Sequence, residues 1–165
     1  MFQTTDIARL RALVEDHLGV TLPAQLTVDE APGLDVHFAQ DTARIAAEDR
    51  NALCRGLFLI GCAIREGKDA LMATQQRHIG SCGVMLDCSR NAVPTVAGAK
   101  RFIDRLAMLG LNLLLLYTED TYEVPSQPYL GYLRGRFTQA ELRELDDYAA
   151  SYDIELMPCI QTLGH

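Results

Sequence analysis

Hydrophobic positions change period along the chain, and the changes predict an alternation of helices and strands. Ile7, Leu10, Leu13, Val14 and Leu18 recur at helical spacing, with Thr5 or Asp6 available as a cap and Gly19 as a stop. Leu26 to Val28 and Leu34 to Phe38 read as short strands parted by the turn residues Pro32-Gly33. Asp41 is expected to cap a long helix running to about Glu66, weakened locally by Gly56 and Gly61. Leu71 to Ile79 is expected to be extended. From Val84 onward the pattern is more regular. Val84-Met85-Leu86 is expected to be a short buried strand, and Pro94-Thr95 opens a helix carrying Ala99, Phe102, Leu106 and Leu109, stopped by Gly110. Leu111 to Tyr117 is apolar on both faces except at Asn112, which suits a parallel strand covered on both sides. Thr138-Gln139-Ala140-Glu141 is a capping-box pattern opening a helix with Leu142, Leu145, Ala149 and Tyr152. Ile154 to Ile160 is a third strand, in which Pro158 is a discord, tolerable near the strand's end.

The expected fold class is α/β. Residues 1–80 read as a small α/β domain, and residues 81–165 as strand, helix, strand, helix, strand in right-handed parallel order. At 165 residues the chain is too short for a complete (β/α)8 barrel, which takes about 250 residues and rarely under about 200.

Composition removes several function classes. The formal charge of −7 is spread evenly, with 8 Lys/Arg against 11 Asp/Glu in residues 1–80 and 7 against 11 in residues 81–165. Without a basic stripe, nucleic acid and an anionic membrane surface are disfavoured as partners. The start of the chain lacks a basic segment followed by an apolar run, and the longest apolar stretch is too short to span a bilayer. Cys54, Cys62, Cys82, Cys88 and Cys159 form an odd set without a C-x-x-C spacing. Reduced thiols in a cytoplasmic protein are therefore expected, rather than a disulfide framework or a zinc site. His17, His37 and His78 are expected to be partly buried side chains with satisfied hydrogen bonds.

Two features carry chemistry. The segment Glu119 to Phe137 has no periodicity, holds Tyr122, Tyr129, Tyr132, Arg134 and Arg136, and follows the end of a strand. Loops of that length in compact domains are often functional. Each of the three later strands also ends in polar residues: Asp87-Cys88-Ser89-Arg90, Thr118-Glu119-Asp120, and Gln161 to His165. In a parallel sheet these ends share a rim, so Arg90, Asp120 and His165 can converge on one small ligand. A guanidinium offers a planar fork to paired hydroxyls, and a carboxylate beside histidine fixes its tautomer. Other roles compete at the same positions. Asp87 is expected to order the turn that follows it, Arg90 can pair with Asp87 or Glu119, and Glu119 is expected to be structural or solvated. A metal site of His165, Asp120 and Glu119 is weaker, for want of a close ligand pair.

The ordered set of residues resembles a known family. Gly83 to Arg90, Pro94, Leu111-Asn112, Glu119-Asp120, Ile154, Pro158 and Gly164-His165 resemble glycoside hydrolase family 20, the β-N-acetylhexosaminidases. Leu116 to Glu123 with Pro128-Tyr129-Leu130-Gly131-Tyr132 is similar to a bacterial branch of it. The resemblance covers residues 82–165; residues 1–80 are similar only in layout to the small domain that precedes the barrel in this family. It implies a (β/α)8 TIM barrel, of which this chain supplies the first three strands and two helices. It also implies substrate-assisted hydrolysis of terminal β-linked N-acetylglucosamine or N-acetylgalactosamine without a cofactor or metal. Arg90 matches the arginine that binds hydroxyls of the terminal sugar, and Asp120 and His165 match a relay behind the acid glutamate. The family's catalytic Asp-Glu pair follows a fourth strand and is expected beyond His165, so the chain alone is expected to be inactive. The pocket-walling tryptophans also come later, and this chain has no Trp. The alternative is a non-catalytic carbohydrate-binding or assembly subunit that pairs with a chain supplying the remaining strands.

Overall fold

The computed structural model describes residues 2–90 and 92–161. The fold is α/β and divides into two units: residues up to Gly80 together with Leu106–Gly110, and the remainder from Ser81.

The first unit orders its elements as α1 (Thr4–Leu18), β1 (Gln25–Glu30), β2 (Leu34–Ala39), β3 (Thr42–Ala47), α2 (Arg50–Arg65) and β4 (Ala70–Gln75). The sheet runs β1-β3-β2-β4, with β1 parallel to β3 and the other pairs antiparallel. Leu34, Val36 and Phe38 alternate with exposed or half-buried positions in β2, as do Ala43, Ile45 and Ala47 in β3. Both rows of one face meet Leu53, Leu57 and Ile60 of α2 in the core. The two helix glycines permit this packing. A Cβ on Gly56 would sit 3.0 Å from Ile45 Cγ2, and one on Gly61 would sit 2.6 Å from Leu18 Cδ1. The other sheet face is polar, with Arg44 paired to Asp29 and His37 to Asp35.

Three expectations fail in this unit. Asp41 caps no helix: residues 42–47 are a strand, and α2 begins after Asp49, whose carboxylate accepts from the Ala52 N–H at 2.7 Å. Strand pairing on both sides of β3 overrides the helix propensity of its alanines. The first helix starts after Gln3, which makes no side-chain cap, rather than at Thr5 or Asp6. His17, His37 and His78 are exposed, not partly buried.

The second unit contains β5 (Gly83–Asp87), most of α3 (Val96–Leu109, whose residues from Leu106 are grouped with the first unit), β6 (Leu113–Tyr117), α4 (Gln139–Ala150) and β7 (Glu155–Cys159). The strands are parallel in the order β5-β6-β7. Asn112, the polar exception in its apolar run, sits below β6, where its side chain accepts from the Cys82 N–H. Among the described residues β7 has β6 as its only strand neighbour, so Pro158 lies on an edge. Thr138 and Glu141 form the complete capping box at the start of α4. The two helices are tied by Asp104, which accepts from Tyr148 at 2.7 Å and Tyr152 at 2.9 Å, and by Lys100 bonded to Glu144. Burial pushes the Tyr152 hydroxyl pKa far up, so the phenol stays a donor. Leu109 is exposed, against expectation; Ile103, Leu106, Ala107 and Met108 are the buried residues of α3's later turns.

One face of this sheet is not covered among the described residues. Leu114 and Leu116 are buried, but Met85, Leu115 and Met157 lie in register on the opposite face, with Met85 56% and Met157 39% exposed. The expectation of cover on both faces of the central strand therefore holds for one face only, and β5, expected to be buried, has no fully buried residue because its open-face side chains meet no covering element among the described residues. No described helix is long and apolar enough to cross a membrane.

Candidate functional site

The next residues along the open face, at the C-terminal ends of the strands, are Asp87, Tyr117 and Cys159, aligned across β5, β6 and β7. Polar residues just past them build a continuous chain of hydrogen bonds. Asp87 Oδ1 accepts from the Ser89 N–H at 2.8 Å and the Ser89 hydroxyl at 2.6 Å. Those bonds, the hydroxyl's first, hold the Asp87 carboxyl below its ordinary pKa. Asp87 thus orders the turn, as expected. Ser89 Oγ in turn accepts from Arg90 Nη1 at 3.1 Å.

Arg90 Nη1 also donates to Glu119 Oε1 at 3.1 Å, which is one of the two pairings the sequence left open. The same carboxylate oxygen accepts from the Tyr117 hydroxyl at 2.9 Å, and the Gln161 amide donates to Tyr117 Oη. Glu119 therefore binds two side chains at once and is structural in the sense expected. Its backbone occupies the left-handed region at φ 49°, so this residue is held in an uncommon conformation at the rim. Through Asp87, Ser89, Arg90, Glu119, Tyr117 and Gln161 the chain of bonds spans all three strand ends. Glu119 raises the pKa of both Arg90 and Tyr117, chiefly by hydrogen bonding. The Arg90 side chain remains 60% exposed, with Nη1 committed to the protein, so its other donors can reach a ligand.

Asp120 lies one residue past Glu119 and faces Arg134 Nη1 at 3.5 Å. Arg134 also donates through Nη2 to the Ser89 carbonyl, so one guanidinium links the rim after β5 to the rim after β6. Asp120 Oδ1, Thr118 Oγ1 and Arg134 Nε are buried without a hydrogen-bond partner among the described residues, although Asp120 Oδ1 has its ion pair with Arg134 Nη1. Arg90 and Asp120 thus stand on one rim, joined through Ser89 and Arg134. His165 lies outside the described residues. Among the described residues no three His, Cys, Asp or Glu side chains are grouped to hold a metal ion.

Sequence reasoning assigns Tyr117 no part in this site, and it could have been found from strand parity, since it is the last open-face residue of the apolar run. Arg134 and Gln161 are singled out there only as members of the long loop and of the third strand's polar end; their bonds carry no local signal, because their partners are distant in sequence. Cys88, between Asp87 and Ser89, takes no part: it is buried, and burial lifts its thiol pKa to about 11.

The long loop is closed at its base and bound to the rim. Tyr122 bridges Phe137, Glu123 N donates to Phe137 O at 2.8 Å, and Phe137 N donates to Thr121 O at 3.0 Å. Phe137 is buried, whereas Tyr129 and Tyr132 are 84% and 63% exposed.

No protein-family model matches the chain. A curated relative, a beta-hexosaminidase of Akkermansia muciniphila, is 31% identical over half of this chain and 20% of its own length. A glycoside hydrolase family 20 exo-β-N-acetylglucosaminidase of Vibrio harveyi, solved with N-acetylglucosamine, superposes with a TM-score of 0.69 at 19% identity. That match covers 94% of this chain and 30% of the Vibrio chain. A second family 20 β-N-acetylglucosaminidase gives a TM-score of 0.65 at 25% identity, over 95% of this chain and 37% of its own. The chain therefore spans about a fifth of the curated relative and about a third of these structures. Its fold is that of the N-terminal part of family 20 β-N-acetylhexosaminidases, as the resemblance of residues 82–165 implied.

Proposed function

We propose that this chain is the N-terminal, sugar-binding portion of a retaining exo-β-N-acetylhexosaminidase acting on terminal β-linked N-acetylglucosamine or N-acetylgalactosamine. The observation that carries the reading is the bonded rim, in which Arg90 is held by Glu119 and Ser89 yet exposed toward solvent. Likeness to family 20 folds along nearly the whole chain supports it. In this reading β5, α3, β6, α4 and β7 are the first part of a (β/α)8 barrel, whose chemistry sits at the C-terminal ends of its strands.

Arg90 then grips hydroxyls of the terminal sugar, with Glu119 fixing the plane of the fork. The sugar's own acetamido oxygen attacks the anomeric carbon, a glutamate protonates the departing oxygen, and an adjacent aspartate orients the acetamido group. Residues 81–165 contain no Asp-Glu dipeptide in that order, and the adjacent Glu119-Asp120 is committed to Arg90, Tyr117 and Arg134, so in this reading the dyad is expected beyond His165. The reading also includes a relay in which Asp120, ion-paired with Arg134, accepts a hydrogen bond from His165.

The test is kinetic. In an enzyme carrying the reading frame past His165, Arg90→Ala raises KM and lowers kcat on 4-nitrophenyl N-acetyl-β-glucosaminide, because hydroxyl contacts position the sugar. The 165-residue chain alone gives no turnover. Unchanged kinetics in the variant reject the role of Arg90; turnover by the short chain rejects the missing dyad.

A further inference from the structure

We propose that Tyr129 and Tyr132 form an aromatic platform for the second pyranose of a β-linked N-acetylhexosamine oligosaccharide, on the leaving side of the cleaved bond. The proposal rests on the glycosidase reading and extends the same site. An exo-hydrolase that grips the terminal sugar at the rim must let the rest of the glycan cross that rim. The connection from β6 to α4, residues 118–138, is far longer than that from β5 to α3, residues 88–95, and it starts at the candidate site itself.

The loop is built to hold its tip against that site. Gly131 (φ 65°) packs so tightly on Asp120 that a Cβ there would collide with the Asp120 carbonyl oxygen. Tyr132 follows Gly131 by one residue and Tyr129 precedes it by two, so both lie within one or two Cα steps of about 3.8 Å from that contact. Arg134 fastens the loop to Ser89 on the β5 side. Arg136 fastens it internally, donating to the carbonyls of Pro128 and Leu130.

The two rings are arranged rather than merely exposed. Their centroids are 6.4 Å apart and their planes cross at 78°, an edge-to-face pair, so a pyranose stacked on the face of one ring meets the other at its edge. Leu133 beside them is also exposed, and its backbone is in the left-handed region at φ 60°. Three residues are too small an apolar surface for a protein partner, since stable protein interfaces bury about 800 Å² per side. They match one sugar ring, whose C–H face is apolar and whose edge hydrogen-bonds, as a tyrosine does.

The experiment compares N,N′-diacetylchitobiose with methyl N-acetyl-β-glucosaminide in the full-length enzyme. In a Tyr129→Ala/Tyr132→Ala variant, kcat/KM for the disaccharide falls about 5- to 10-fold, mainly through KM, in line with the worth of an aromatic contact. The methyl glycoside, which has no second ring, is hydrolysed as before. A Tyr129→Phe/Tyr132→Phe variant keeps the disaccharide rate, because the ring face and not the hydroxyl does the stacking. Equal loss on both substrates, or loss on neither, overturns the platform and leaves the glycosidase reading standing. A wild-type enzyme that cleaves neither substrate overturns both.

Discussion

At the scale of single residues, the rim depends on carboxylates that are bonded before any ligand arrives. Asp87 shows what this means for pH. Two bonds from Ser89 lower its folded-state pKa, so the folded state binds the proton less tightly than the unfolded chain does. Its stabilising effect is therefore fully present above the ordinary aspartate value of about 3.9 and is lost as pH falls through the lowered folded value. Denaturant midpoints of the wild type and Asp87→Asn should differ most at neutral pH and converge as pH is lowered from about 5 toward 2. A difference that persists unchanged into acid would mean that the carboxylate's charge has no part in ordering this turn. How legible such residues were depended on sequence distance. The turn role of Asp87 and the pairing choices of Arg90 followed from neighbours on two short polar segments. Arg134 reaches Ser89 across the loop, and no local pattern encodes that reach.

At the scale of elements, local rules succeeded where one rule acted alone. The capping box of α4 is complete: Glu141 accepts from the Thr138 N–H at 2.8 Å, and Thr138 Oγ1 accepts from the Glu141 N–H at 3.2 Å. Thr138→Ala should cost about 1 kcal/mol in a urea melt, the usual value of a lost N-cap. Gly83 sets a contrasting case. It is exposed, yet a Cβ there would collide with the Leu113 carbonyl oxygen of the neighbouring strand, so Gly83→Ala should cost more than about 2 kcal/mol by forcing β5 from β6. If the alanine at 83 proves milder than that at 138, β5 is not held as tightly as its register implies. The segment 41–47 shows where local rules conflict. Its alanines favour helix, but Ala43, Ile45 and Ala47 alternate with Thr42, Arg44 and Ala46, and β1 and β2 flank it on both sides. The period of two was present in the sequence; its partners, up to 17 residues away, were not visible to a windowed reading.

At the scale of the whole molecule, the second unit presents an apolar row on its open sheet face. Met85, Leu115 and Met157 are in register on one face, and Ile160 is exposed just past β7. Such a face, beside a strand paired on one side only, invites association. In the barrel reading it is an interior wall; in the alternative reading, a subunit that recruits its missing strands, it is a docking face. Either way the 165-residue chain by itself should sediment as self-associated species, bind a hydrophobic dye, and melt over a broad range. Replacing Met85 and Met157 with glutamate should reduce both association and dye binding, because it charges the row without touching the buried Leu114 and Leu116. Co-expression with the remaining barrel strands should suppress association in the unmodified chain, where the hydrolase reading also requires activity to return. A monodisperse monomer with a sharp cooperative melt would argue the opposite: the three strands suffice for a stable sheet, the open face needs no cover, and the barrel reading loses the observation that distinguishes it from a self-contained sugar-binding unit.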